Sequence, residues 1–101
     1  MKAVIDGITY NTETATKIAY SSKEFGANDF RHVEESLYKT EDGRFFLAGG
    51  GGPMTRYSRP AADRQTGGSG IVVLTPDEAR NWCESHGVDA ETIAEHIEVE
   101  A

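Results

Sequence analysis

The segment that most constrains the fold runs Val33-Glu34-Glu35-Ser36-Leu37-Tyr38-Lys39-Thr40, then Glu41-Asp42-Gly43, then Arg44-Phe45-Phe46-Leu47-Ala48. Two runs of strand-forming residues around a short polar, glycine-ended loop predict a β-hairpin. A three-residue loop with Gly43 left-handed pairs Leu37 with Leu47 on one face and Tyr38 with Phe46 on the other. Both faces then carry large apolar groups, and such a sheet needs cover on each side. The expected cover is helices on one face and part of the long central segment on the other.

The rest of the chain supplies the pieces. Ala3-Val4-Ile5 and Ile8-Thr9-Tyr10 flank Asp6-Gly7 and predict an opening hairpin. Ile18 and Tyr20 alternate with Lys17, Ala19 and Ser21 as in a half-buried strand, although a helical turn over Thr12 to Lys17 competes. Ser22 to Asp29 reads as a loop with Phe25 and Phe30 tucked inward. From Gly49 to Gly70, repeated glycines with Pro53 and Pro60 predict a long irregular loop, its first half pinned by Met54 and Tyr57. Ile71-Val72-Val73-Leu74 is a continuous apolar run and predicts a buried central strand.

Helical signals are confined to the C-terminal part. Thr75-Pro76-Asp77-Glu78 combines an N-cap threonine, proline in the first turn and a glutamate three residues after the cap. Ala79, Trp82, Cys83 and His86 would face the sheet, with Asp77, Glu78, Arg80, Asn81 and Glu84 outward, and Gly87 ends the helix. Asp89 caps a second helix, Val88 and Ile93 form its hydrophobic staple, and Ala90, Ile93, Ala94 and Ile97 form its inner stripe. Glu91, Glu95 and Glu98 occupy its outer ridge, and the residues after Ile97 form a frayed tail. The expected fold is α+β: one domain over residues 1–101, a small antiparallel sheet of four to five strands with two C-terminal helices packed on one face.

Charge divides the chain unevenly. Residues 1–75 hold nine Lys and Arg against nine Asp and Glu, whereas residues 76–101 hold eight acids and Arg80, so the final 26 residues carry the whole net −7, most of it in the acidic helical unit 75–98. Such a surface repels nucleic-acid phosphates and attracts basic protein partners, although acids also serve simply to keep a small protein soluble. No apolar run approaches the ~20 residues of a membrane span, and the first residues do not read as a signal peptide, so a soluble, cytoplasmic chain is expected. With one cysteine, Cys83, no internal disulfide can form.

Candidate chemistry is thin. Cys83, His86 and His96 make an incomplete zinc set, because a structural site ordinarily takes four ligands and packing already explains Cys83 and His86. Cys83 sits late in its helix beside Glu84, where a thiolate is disfavoured, so it is a poor nucleophile. Gly49-Gly50-Gly51-Gly52-Pro53 lacks the Lys-Ser/Thr of a phosphate-binding loop. Arg56, Arg59 and Arg64 with the Gly67 and Gly68 amides still suit a small anion. Glu34 and Glu35 are strand neighbours on opposite faces and no acid–base pair; the inward one needs a cation such as Arg44 or Arg31. No cofactor, metal site or catalytic residue is expected.

Three linked segments, "SLYKTEDGRFFLAGGGGPMTRYS", "GGSGIVVL" and "TPDEARNWCESHG", resemble small plasmid- and phage-encoded bacterial proteins of the anti-CRISPR type, over roughly residues 8–86. The resemblance implies a non-enzymatic inhibitor that binds a basic, nucleic-acid-binding surface of a CRISPR effector or similar defence complex in the host bacterial cytoplasm. On this reading Asp77, Glu78, Glu84, Glu91, Glu95 and Glu98 face the partner, with Arg56 and Tyr57 as anchors. The alternatives are a small anionic-ligand-binding protein using loop 49–70, and a toxin-neutralising adaptor.

Overall fold

A computed structural model describes residues 1–23, 31–62 and 64–100. The opening hairpin pairs β1 (Lys2–Ile5) with β2 (Ile8–Asn11). Asp6 and Gly7 both adopt positive φ, the geometry of a two-residue hairpin turn. A hydrogen-bonded turn over Thr12–Ala15, not a helix, leads into the main sheet. This sheet contains β3 (Thr16–Lys23), β4 (Val33–Lys39), β5 (Phe45–Gly51) and β8 (Gly68–Leu74), antiparallel throughout in the order β3-β4-β5-β8. Between β5 and β8 lies a small hairpin of β6 (Arg59–Ala61) and β7 (Arg64–Thr66). The expected loop around Phe25 and Phe30 falls mostly outside the described residues.

The central hairpin has the expected register. Gly43 has φ +82°, Leu37 lies opposite Leu47, and Tyr38 lies opposite Phe46. One face packs Ile18, Leu37, Phe45 and Leu47 against Ala79, Trp82 and Cys83 of α1 (Pro76–Ser85), Ile93 of α2 (Ala90–His96), and Ile97. Leu37, Phe46 and Leu47 are completely buried, each contributing roughly 1.5–3 kcal/mol of transfer free energy. Both helices therefore cover one face of an antiparallel sheet, as the α+β reading requires.

The opposite face departs from expectation. It is covered by the opening hairpin, with Tyr10, Ile5 and Ile8 packed on Phe46, Ala48 and Tyr38. Phe46 stacks on Tyr38 with centroids 5.2 Å apart and meets the edge of Tyr10 at 5.4 Å. The central segment lies instead on the helix side, where Tyr57 enters the interior. Met54 is 69% exposed and pins nothing.

Glycine content misleads in the central segment. Gly49–Gly51 continue β5 and pair with both β4 and β8. A Cβ at Gly49 would collide with the Glu34 carbonyl, and one at Gly51 would lie 2.6 Å from Thr55 Oγ1 and 2.9 Å from the His32 carbonyl. Here glycine permits close strand approach and does not loosen the backbone. β8 is also not central: it forms a sheet edge, and its apolar residues are half-buried or exposed.

Both helix starts follow the sequence signals. Thr75 and Glu78 form a complete capping box with Pro76 in the first turn, and the Asp89 carboxylate accepts from the Thr92 amide. The apolar stripe of α2 is narrower than expected, since Ala90 and Ala94 are exposed and only Ile93 and Ile97 point inward. The helix ends at His96, whose carbonyl accepts from Lys39 Nζ at 2.7 Å. Glu98 therefore lies beyond the helix and does not extend a Glu91–Glu95 ridge.

Candidate functional site

Two features stand out, a buried polar junction and an exposed acidic face. The junction centres on Glu35, which is only 6% exposed and points to the helix side of β4 because it shares a face with Leu37. Tyr57 donates from its hydroxyl to Oε2 at 2.7 Å, and Trp82 donates from Nε1 to Oε1 at 3.1 Å. Arg56 brings Nε to 3.5 Å from Oε2. Strand, central segment and α1 thus meet on one carboxylate with each oxygen satisfied, which a buried charge requires. The offsetting cation is Arg56, where the sequence suggested Arg44 or Arg31.

This arrangement decides two of the expected anchors. Tyr57 is 4% exposed, and its ring and hydroxyl are used internally, so it presents no anchoring surface to a partner. Burial, reinforced by the hydrogen bond to Glu35 and the Glu35 charge, pushes its phenol well above the usual range and keeps it a donor. Arg56 remains 47% exposed. It borders a groove of about 380 Å³ shared with Leu74, Glu78, Asn81, Trp82, Ser85 and His86.

Of the three arginines expected around a small anion, Arg56 and Arg59 border one groove of about 190 Å³, whereas Arg64 stands apart. Arg59 donates to the Ser69 carbonyl, and Arg64 lies at the opposite end of the β6–β7 hairpin, across from Ala61. The Gly67 and Gly68 Cα positions face the carbonyl oxygens of Gly51 and Tyr57, at 2.7 and 2.6 Å from where a Cβ would stand. At Gly68 the Arg59 Nε stands 2.8 Å from the same point, so this glycine lies between an acceptor and a cation.

The acids of residues 76–100 are all exposed. Arg80 contacts Asp77 at 3.2 Å and Glu84 at 3.9 Å, surface pairs worth at most ~1 kcal/mol. Glu78 holds the Thr75 amide, and Glu95 lies 4.0 Å from His96. Among the described residues, no ion pair joins Arg56, Arg59 or Arg64 to these acids. Asp77, Glu84, Glu98 and Glu100 gather around Arg80, Pro76 and Val99 in a groove of about 610 Å³ between α1 and the chain's last residues. Glu91 and Glu95 form a separate patch on α2.

Cys83 is fully buried, and burial followed by the Glu84 charge pushes its thiol up, opposite to a nucleophile's need. His86 stacks on Trp82 with centroids 4.3 Å apart, and its Nδ1 lies 2.7 Å from the Trp82 carbonyl. Among the described residues, no three His, Cys, Asp or Glu are placed to hold a metal ion.

The Glu35 junction escaped sequence reasoning because its members are 22 and 47 residues apart. A usable signal was the inward parity of Glu35 beside Leu37, which demanded donors from elsewhere. No helix of the described residues is long and apolar enough to cross a membrane. No family model, curated protein or solved structure matches the chain.

Proposed function

We propose that this protein is a non-enzymatic inhibitor that docks its acidic C-terminal face on a basic protein surface that otherwise holds nucleic-acid phosphates. The observation that supports this reading is the exposure of every acid in residues 76–100 together with the commitment of Arg56 and Arg59 elsewhere. Negative potential is therefore left facing outward, where it steers encounter with a cationic partner and repels nucleic acid. The partner class comes from the sequence resemblance: a CRISPR effector or similar nucleic-acid-handling defence complex in the bacterial cytoplasm. Contact runs through Asp77, Glu78, Glu84, Glu91, Glu95 and Glu98, with Arg56 at the margin.

Competition between the protein and labelled target DNA for a panel of purified CRISPR effector complexes, read by fluorescence anisotropy, tests the reading. Displacement of DNA that weakens with added salt is expected, as is its loss in the Glu91→Lys, Glu95→Lys double variant with the circular dichroism spectrum unchanged. Full displacement by that variant would reject the α2 patch. Failure to displace DNA from any effector would reject the partner class.

A further inference from the structure

We propose that the free edge of β8 is a self-association surface, on which a second copy of this chain adds its own β8 antiparallel about Val72. This goes beyond the inhibitor reading and, of the acids assigned there, uses only Asp77.

Hydrogen-bond parity identifies the exposed groups. The central hairpin closes with the Thr40 amide donating to the Arg44 carbonyl. Alternation from that pair directs the backbone of Phe46, Ala48 and Gly50 toward β4 and that of Phe45, Leu47, Gly49 and Gly51 toward β8. On β8, Gly68, Gly70, Val72 and Leu74 therefore bond to β5, while Ser69, Ile71 and Val73 turn their N–H and C=O groups outward. Arg59 agrees with this parity, because it takes the outward Ser69 carbonyl. No described residue takes the outward groups of Ile71 or Val73.

The two sheet edges differ in protection. β3 carries Lys17 and Lys23 and an irregularity between Lys17 and Ala19, devices that discourage edge pairing. β8 is Gly-Ser-Gly-Ile-Val-Val-Leu, with no charge, no proline and no bulge, and Val73 is 38% exposed. Open space adjoins it on both sides of Val72: a groove of about 190 Å³ bordered by Arg56–Arg59 and Ser69–Val72, and one of about 450 Å³ bordered by Tyr10, Val73, Leu74 and Pro76.

A second copy fits this edge because the edge complements itself. Antiparallel pairing about Val72 sets Ile71 opposite Val73 of the copy, and each pair exchanges N–H···O bonds in both directions. It also brings Arg59, beside Ser69, toward the first turn of α1 in the other copy, where Asp77 is exposed. A parallel arrangement would instead oppose Asp77 to Asp77. The ladder stops at Ser69, whose carbonyl Arg59 already takes, and at Thr75 of the copy opposite it, whose N–H is held by Glu78. Glu91 and Glu95 are not part of the contact.

Sedimentation velocity of the full chain from ~1 µM to ~1 mM, with amide hydrogen exchange at both ends of the range, tests the proposal. A concentration-dependent dimer is expected, with the Ile71 and Val73 amides exchanging rapidly when dilute and slowly when concentrated. V73K should weaken the dimer at least ~10-fold. V73P should do the same, because the Val73 N–H makes no intrachain bond, and circular dichroism reports whether the fold survives either change. D77K should weaken association, and D77K with R59E should restore it. A chain that stays monomeric overturns the proposal, as does a dimer indifferent to V73K or without protection at Ile71 and Val73. An extended peptide pairing with β8 while the chain remains monomeric assigns the edge to another occupant and overturns it too.

Discussion

Replacing Tyr57 with phenylalanine isolates one donor of the Glu35 junction. The ring stays, but Oε2 loses its 2.7 Å hydrogen bond and keeps only Arg56 at 3.5 Å, a partner that is itself half in water. Removing a hydrogen bond to a buried charged group costs ~1.5–3 kcal/mol, because the acceptor is left partly unsatisfied. For a domain of this size a loss of ~2 kcal/mol lowers Tm by roughly 8–16 °C. Thermal and urea denaturation of the wild type, Tyr57→Phe, Glu35→Gln and the double variant complete a cycle. If the charge on Glu35 creates the cost, Tyr57→Phe should cost under ~1 kcal/mol in the Glu35→Gln background. An equal cost in both backgrounds, or less than ~0.5 kcal/mol in the wild type, refutes the reasoning and leaves Tyr57 as a packing residue.

The same phenol carries a pH prediction. Its folded pKa is raised above the unfolded value of ~10, so its contribution is complete below that pH and is lost as pH rises through the higher folded value. Wild type should therefore lose more stability than Tyr57→Phe in alkaline urea titrations. The Asp89 carboxylate behaves oppositely: its bonds to Thr92, side chain first and then amide, hold its pKa down. Its contribution is present above the ordinary aspartate value of ~3.9 and is lost as pH falls through the lowered folded value. Asp89→Asn keeps a capping oxygen and should remove that acid dependence, read by helicity between neutral and strongly acidic pH. Gly49→Ala should destabilise by ~1–3 kcal/mol or more through the clash with Glu34, whereas Gly70→Ala, whose nearest neighbour is Arg59 at 3.8 Å, should fold well; urea midpoints compare them. Cys83 should resist a thiol reagent until urea unfolds the chain, since the thiol is buried and its pKa raised.

Much of the local structure was readable from adjacent residues. Asp6-Gly7 and Gly43 select their turns through positive φ, Gly43 sets the Leu37–Leu47 register, and Thr75-Pro76-Asp77-Glu78 marks the start of α1. Each depends on interactions spanning a few residues, which a linear reading captures. The ridge read through Glu98 fails because the helix ends at His96, before the periodicity reaches that residue. The glycines of residues 49–51 were misread because composition records flexibility but not how closely a neighbouring strand passes.

The sequence by itself determined the turns, the helix start signals, the two-faced central hairpin and the segregation of negative charge to residues 76–101. Tertiary structure alone decided that the opening hairpin covers the second face, that Ile71–Leu74 lie on an edge, and that Glu35 gathers Tyr57, Trp82 and Arg56. The physical reason is range. Backbone preference and capping act within a turn or two, whereas strand order and the partners of a buried carboxylate depend on which distant segments close together, a choice made by the whole core.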